Sequence, residues 1–315
     1  MARYLLKRLL FSVLVLIAVS IFVFAAVRII PGDVCSAVLG SQPDDPKQCE
    51  AIDKELGLDE PAPVQYLRYM GSALTGDFGK ALMSKRDVYG EIRDRVPLTV
   101  ELTVLATTFA LLIAVPIGVW SAVRQDKAPD YVLRFVTIAW LSIPGFWIGT
   151  ILVVYPAKWW AYSTPSGYTE IWDDPLKNLE QLYLPAFALG LALSASLARV
   201  TRSSMLEVFR QDFVRTARAK GLNERSVIVR HALKNAMIPV VTLFGLQFGV
   251  LFGGTVVLES IFSLPGLGTL TIESVLRHDF KEVQGIVLFF ATVLIAINFL
   301  VDLSYAWFDP RIRYT

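Results

Sequence analysis

Residues Leu102–Val123 read LTVLATTFALLIAVPIGVWSAV, 22 consecutive positions without Asp, Glu, Lys or Arg. A helix needs about 20 apolar residues to cross roughly 30 Å of hydrocarbon. Only helices and closed barrels satisfy their backbone groups in lipid, and this run is too long and too uniform for alternating barrel strands. Five further uncharged runs match it: Leu9–Val27, Phe135–Ala157, Gln181–Ala198, Asn235–Leu258 and Val283–Val301. They predict an all-α integral membrane protein with six transmembrane helices.

Composition points the same way. Of 315 residues, 54% are hydrophobic and 18% charged, with a mean hydropathy of +0.52. A soluble domain carries about 25% charged residues. A water-soluble enzyme, a disordered chain and a coiled coil are therefore excluded. The net charge of +2, from 30 basic and 28 acidic residues, carries no polyanion-binding signal, so nucleic acid is not an expected partner. Two cysteines and two histidines leave little room for a cysteine-rich metal site or haem attachment.

Arg3, Lys7 and Arg8 precede the first run as they would in a secretory signal. Its apolar core exceeds a signal's usual length of about 7–15 residues and no clear A-x-A site follows, so an uncleaved anchor is expected. With the N-terminus inside, segments 1–8, 124–134, 199–234 and 302–315 hold 17 basic residues. The short outside loops 158–180 and 259–282 hold 4. By the positive-inside rule, both termini are expected to be cytoplasmic. The chain then divides into a tail with the first span (1–30), an extracytoplasmic region (31–96) and a core of five spans (97–315).

The long outside region 28–101 carries 9 basic and 13 acidic residues, with turn punctuation at Pro31-Gly32-Asp33 and Pro43-Asp44-Asp45-Pro46. Short helical patterns follow at Ala51–Leu58 and Val64–Ala73. Cys35 and Cys49 both fall in this disulfide-permissive compartment, and a bridge between them is expected, with two unpaired thiols as the alternative.

The inside loop 199–234 has nine basic residues against three acidic ones and reads as helix. Leu206, Phe209, Phe213 and Ala217 recur as one apolar stripe, with Arg202, Arg210, Arg215 and Arg218 on other faces. Gly221 breaks the pattern, and Asn223 is positioned to cap a second helix from Glu224 into the fifth span. Exposing Phe209 and Phe213 would cost roughly 1.5–3 kcal/mol per ring. That favours burial beneath the helix or against a docked soluble subunit over a loop that only fixes topology. On the other side, Ser260–Ile272 is an uncharged run of 13 residues, too short to span, with a Leu264-Pro265-Gly266-Leu267-Gly268 turn. A helix–turn–helix re-entering the outer leaflet fits it, and a flat interfacial loop is the alternative.

Within the spans, Gly245, Gly249 and Gly253 form a ridge at four-residue spacing, and Ala186, Gly190, Ser194 and Ala198 form another. Such ridges admit close helix packing or wall a solute pathway. Gln247 and Asn298 are the clearest polar residues inside spans, with Asp302 near a span end. No span holds the paired carboxylates or histidines of a proton relay. Neither a G-x-x-x-x-G-K-[ST] loop nor an H-E-x-x-H motif is present. By the expected topology, His231 and His278 lie on opposite sides of the membrane. Energy for uphill movement would have to come from another chain.

Asp212-Phe-Val-Arg-Thr-Ala-Arg-Ala-Lys-Gly-Leu222 followed by Arg230-His-Ala-Leu-Lys-Asn-Ala-Met-Ile-Pro239 resembles the cytoplasmic signature of ABC importer permeases, more narrowly the dipeptide/oligopeptide/nickel branch. Leu258-Glu-Ser-Ile-Phe-Ser-Leu-Pro-Gly-Leu-Gly268 and Asp309-Pro-Arg-Ile-Arg313 support it. The opening Tyr4–Arg8 and Arg28-Ile-Ile-Pro-Gly-Asp33 fit the larger-loop member of the permease pair. The family's Glu-Ala-Ala triplet is replaced by Arg215-Thr216-Ala217, four residues ahead of Gly221, and the proline of its Leu-Pro falls at Lys234.

The resemblance implies a type I importer permease in a bacterial or archaeal plasma membrane, working by alternating access. It implies a second homologous permease, two cytoplasmic ATPases that bind ATP and Mg, and an extracytoplasmic substrate-binding protein, with no catalytic site or cofactor in this chain. A coupling helix within 212–221 (Phe213, Arg215, Thr216, Ala217, Arg218, Lys220 and Gly221) would seat in an ATPase. Phe262, Pro265, Gly266 and Gly268 would form the outer re-entrant loop. The residues on their own leave two other functions open: a membrane anchor of an enzyme complex, and a stand-alone channel or carrier.

Overall fold

The computed structural model describes residues 2–29 and 59–308. Cys35, Cys49, the helical pattern Ala51–Leu58 and the Asp309–Arg313 ending lie outside them. Among the described residues the fold is helical, and the one β feature is an isolated bridge between Lys80 and Asp87. In chain order the helices are α1 (Ala2–Ile29), α2 (Ala62–Leu74), α3 (Val88–Val123), α4 (Ala128–Ser142), α5 (Gly145–Trp160), α6 (Pro175–Phe209) and α7 (Asp212–Ala219). Helix α8 is α-helical over Glu224–Ser226, π-helical over Val227–Leu233 and α-helical again over Lys234–Gly254. Then follow α9 (Val256–Ile261), α10 (Leu267–Leu276) and α11 (Phe280–Phe308).

Among the described residues five helices are long and apolar enough to span a bilayer: α1, α3, α6, α8 and α11. The uncharged run Phe135–Ala157, expected as a span, is broken into the pair α4 and α5, bent by 91°, and taken as one broken span it makes the sixth. Pro144 is the cause. It has no N–H for the helix ladder, and it drives Ile143 into extended backbone (φ −93°, ψ 122°). The run Asn235–Leu258 likewise crosses a break, at Thr255 between α8 and α9.

The fold forms two compact units. One comprises residues 2–29, 59–97 and 265–299. In it the Ser20 and Tyr66 hydroxyls lie 2.8 Å apart, and Phe24 packs edge-on to Tyr66 and stacks on Tyr69. Burial, with Tyr66 beside it, pushes the Tyr69 hydroxyl up to about 12. The Met83 N–H donates to Asp279 Oδ2 (3.0 Å), and Ser274 Oγ donates to Glu282 Oε2 (2.8 Å).

The other unit comprises 98–264 and 300–308. Its centre is α6, the most buried of the long apolar helices. Asp174 caps this helix by accepting from the Leu176 and Lys177 N–H groups, with Pro175 at its first position. Leu182, Ala186 and Leu189 pack with Leu98, Leu102 and Ala106 of α3, and Leu197 and Ala198 pack with Ala110, Ala114 and Val240. Bilayer lipid is as apolar as leucine, so helices associate through close packing of small residues. A Cβ on Gly190 would lie 2.6 Å from the Ala106 carbonyl oxygen, and one on Gly118 2.7 Å from that of Ala198. These contacts are with backbone, which has little room to yield.

Gly190→Ala is therefore expected to destabilise the unit by about 1–3 kcal/mol. The control Gly71→Ala, whose Cβ meets nothing within 4 Å, should be neutral or mildly stabilising. Thermal melting of the two purified variants checks the contrast.

Candidate functional site

The basic loop contains a compact seat for a short helix. At Arg210-Gln211 the chain leaves α6, and α7 begins at Asp212. This break divides the expected stripe: Leu206 and Phe209 belong to α6, whereas Phe213 and Ala217 belong to α7. Of α7, only Val214 and Ala217 are buried. They join Met205 and Val208 of α6, Ala122 of α3, and Val227, Ala232 and Ala236 of α8 in one cluster. Phe213, for which burial beneath the helix or against a docked subunit was expected, keeps 39% of its surface exposed, and Val214 is the inward anchor. An i,i+3 pair of small apolar residues holds one face down and leaves the rest of the helix projecting.

The turn after α7 is closed by two backbone bonds: Gly221 N–H to Arg218 O (2.9 Å) and Leu222 N–H to Ala217 O (3.4 Å). This is the Schellman arrangement, which needs a left-handed residue at the Gly221 position. Gly221 supplies it at φ +76°, with nothing within 4 Å of an added Cβ. The constraint is thus backbone conformation and not space. Asn223 caps α8 by accepting the Ser226 N–H at 2.8 Å, as its sequence position predicted.

The exposed side of α7 is charged and internally paired. Arg215 lies 3.6 Å from Asp212, and Thr216 Oγ1 donates to the Asp212 carbonyl (2.9 Å). Arg218 donates to both Glu224 oxygens (2.6 and 3.2 Å) and lies over the Phe209 ring. Its hydrogen bonds to Glu224 raise its already high pKa further. Lys220 is the exposed C-cap.

One turn away along α3 and α6 lies a buried ion pair that sequence reasoning missed. Arg202 donates from Nε and Nη2 to the two Asp130 oxygens (2.8 and 2.7 Å). Ser121 donates to Asp130 Oδ1 (2.5 Å), and the Asp126 N–H donates to Oδ2 (3.1 Å). Asp130 has no exposed surface. The bonds join α3, α4 and α6 beside the α7 seat, because Ser121 precedes Ala122 and Arg202 lies three residues before Met205. The available signal was an Asp and an Arg flanking apolar runs, which counting loop charges had averaged away.

The other expected sites are distributed. A Cβ on Gly245 would meet Val301 at 2.4 Å, so this glycine serves close packing of α8 on the end of α11. Gly249 is buried, and Gly253 lies in the last turn of the same helix. Gln247 Nε2 donates to Ser196 Oγ at 2.7 Å, while its Oε1 is buried without a hydrogen-bond partner. Asn298 is half-buried on α11. Phe262 is buried and Pro265 exposed, and Gly266 and Gly268 are buried. The left-handed residue that ends α9 is Ser263 (φ +53°), not either glycine. Near it Glu259, fully buried, accepts from Thr99 and Thr255 (3.0 and 2.8 Å). Among the described residues no group of three or more His, Cys, Asp or Glu is arranged to hold a metal ion.

A chain of apolar spans, bearing a short amphipathic helix seated on one end of the bundle, has the architecture of a transport subunit driven from outside itself. Residues 114–314 match the family model described as the binding-protein-dependent transport system inner membrane component, and residues 1–103 match the model of that component's N-terminal part. The chain belongs to this family. It is 37% identical to the dipeptide transport system permease protein DppB of Alkalihalophilus pseudofirmus. It is 38% identical to the glutathione transport system permease protein GsiC of Salmonella paratyphi A and of Escherichia coli. All of this chain and all of each relative are covered.

In fold, 70% of the chain superposes on 96% of a chain of the inward-facing MetNI methionine ABC transporter, at a TM-score of 0.58 and 16% identity. The protein is thus a multi-pass permease subunit of an ABC importer in the bacterial inner membrane. It is a non-catalytic membrane component, and its family works with further permease, ATPase and substrate-binding components. Of the three functions the residues left open, family membership selects this one.

Removing one member of the Asp130–Arg202 pair strands the other in a poorly solvated site, at a cost of about 3–5 kcal/mol. Asp130→Ala and Arg202→Ala should each lower the melting temperature of the purified permease strongly. The double variant should lose much less than the two single losses combined, and a double-mutant cycle measures the difference.

Proposed function

We propose that α7 with its Gly221 turn is the coupling element of a peptide importer. The loop 199–234 faces the cytoplasm, in accord with the 17-to-4 bias of basic residues. One permease of this type pairs with a second, homologous one around a central path. Two ATPases that bind ATP and Mg receive the two coupling helices, and an extracytoplasmic binding protein delivers cargo to regions 31–96 and 259–282. The cargo class is short peptides, which the names of the full-length relatives support.

The observation that carries this reading is the division of α7. Val214 and Ala217 are sunk in a cluster shared by α3, α6 and α8, while Phe213 projects with Arg215, Thr216 and Lys220. A push on the projecting face is thereby delivered to three long helices through close-packed side chains, which compress little. Phe213 and its basic neighbours supply an aromatic anchor with a charged rim, the composition that protein interfaces favour. Gly245, Gly249 and Gly253 let neighbouring helices slide, with Gln247 and Asn298 as polar points near the path. The Phe262–Gly268 turn forms an outer re-entrant element.

A β-branched residue at Gly221 meets a left-handed backbone cost of roughly 1–2 kcal/mol and misaims α7. In the reconstituted transporter, Gly221→Val should cut dipeptide uptake per ATP hydrolysed by about tenfold. Gly221→Asn, which tolerates this backbone, should retain coupling. Unchanged coupling in the valine variant would remove the role given to this turn. Separately, mass spectrometry of unreduced protein should find Cys35 linked to Cys49, and two free thiols would exclude the bridge.

A further inference from the structure

The start of α8 carries a groove that the coupling role does not use. It has a volume of about 630 Å³ and is lined by Asn223, Arg225, Ser226, Val229, Arg230 and Lys234. The π-helical segment Val227–Leu233 lies within this stretch, and Arg225 before it, Arg230 inside it and Lys234 after it all line the groove. Small buried residues, Val227 and Ala232, hold the opposite side of the segment against the α7 seat.

The chemistry of the lining is one-sided. It holds three cations and no acid. The Asn223 side-chain oxygen is occupied by the Ser226 N–H, so Asn223 offers its amide N–H groups and Ser226 its hydroxyl. The acids nearest in sequence, Asp212 and Glu224, pair with Arg215 and Arg218. Among the described residues Arg225, Arg230 and Lys234 have no carboxylate partner within 4.0 Å. A mostly apolar groove edged by three cationic side chains, with no acidic one, suits an anion carrying several oxygens at its rim.

The groove is also amphipathic. Val229 stands in its wall with 55% of its surface exposed. Beyond Lys234, Ile238 and Val241 continue the same helical face one and two turns further, and both are exposed. A ligand with a phosphate head and an acyl tail satisfies both parts: the head among the cations, the tail along the apolar face of α8. Free phosphate satisfies only the first part.

We propose that this groove binds the headgroup of an anionic phospholipid. Placing it in the inner leaflet rests on the cytoplasmic orientation given above, and lipid retention is read without ATP or cargo, so it stands or falls separately from coupling. Basic residues at a membrane surface each favour anionic lipid, and their removal is read as lost retention.

The test uses the detergent-purified transporter complex, offered phosphatidylglycerol or phosphatidylcholine of identical acyl chains, with bound lipid measured by native mass spectrometry. Wild type should retain phosphatidylglycerol in preference. Arg225→Gln/Arg230→Gln/Lys234→Gln should reduce that retention by about a hundredfold, roughly fivefold per charge. The charge-keeping Arg225→Lys/Arg230→Lys should retain it, which separates lost charge from lost folding. Equal retention of the two lipids by wild type, or unchanged retention by the glutamine variant, overturns the proposal. Complete displacement by millimolar inorganic phosphate also overturns it, in favour of a free anion. Loss of co-purifying ATPases from the glutamine variant with lipid unchanged overturns it in favour of a protein-docking surface.

Discussion

Asp130 has no exposed surface, and the cost of holding its charge there governs the part of the bundle beside α7. A carboxylate withdrawn from water is tolerated only when it is fully hydrogen-bonded and paired. Arg202 meets it with two parallel bonds, and Ser121 and the Asp126 N–H fill the remaining positions. Because the four groups come from α3, the turn after it, α4 and α6, electrostatic satisfaction and helix placement are one condition. The bidentate fork also fixes orientation, which a lysine ammonium would not. Ala122 and Met205 are carried to the α7 seat on the same two helices, so the pair sets the geometry on which the short helix rests.

Away from this pair the bundle relies on contact between small residues. Gly118 and Gly190 bring backbones together where a single methyl would collide with a carbonyl oxygen, and Gly149 makes room for the Leu258 side chain. Lipid supplies little drive for helices to associate, so such close approach, with sparse interhelical bonds such as Gln247 to Ser196, must supply it.

Two departures from regular α-helix give the chain its functional shape. Pro144 turns an apolar run long enough to span into two helices at 91°. The π turn at Val227–Leu233 interrupts α8 beside the groove that Arg225, Arg230 and Lys234 line, just before the chain becomes apolar. In both, a local backbone term overrides the uniform hydropathy of the surrounding residues.

Much was legible in the residues alone. Uncharged runs of about 20 residues identify membrane helices because unpaired peptide groups are intolerable in hydrocarbon. Gly221 and Asn223 announce a helix end and a helix start because left-handed backbone and N-capping are local requirements that few residues meet. What the tertiary structure decided was which side chains share a space. The stripe Leu206–Phe209–Phe213–Ala217 was periodic, but the chain turns at Arg210-Gln211 and hands the anchor to Val214. Asp130 and Arg202, 72 positions apart, carry no mutual signal in one sequence, since a pairing across helices depends on packing angles that periodicity does not encode. The bend at Pro144 and the π turn belong to the same class: hydropathy reports how much apolar surface a segment has, and only the folded backbone reports the direction in which it points.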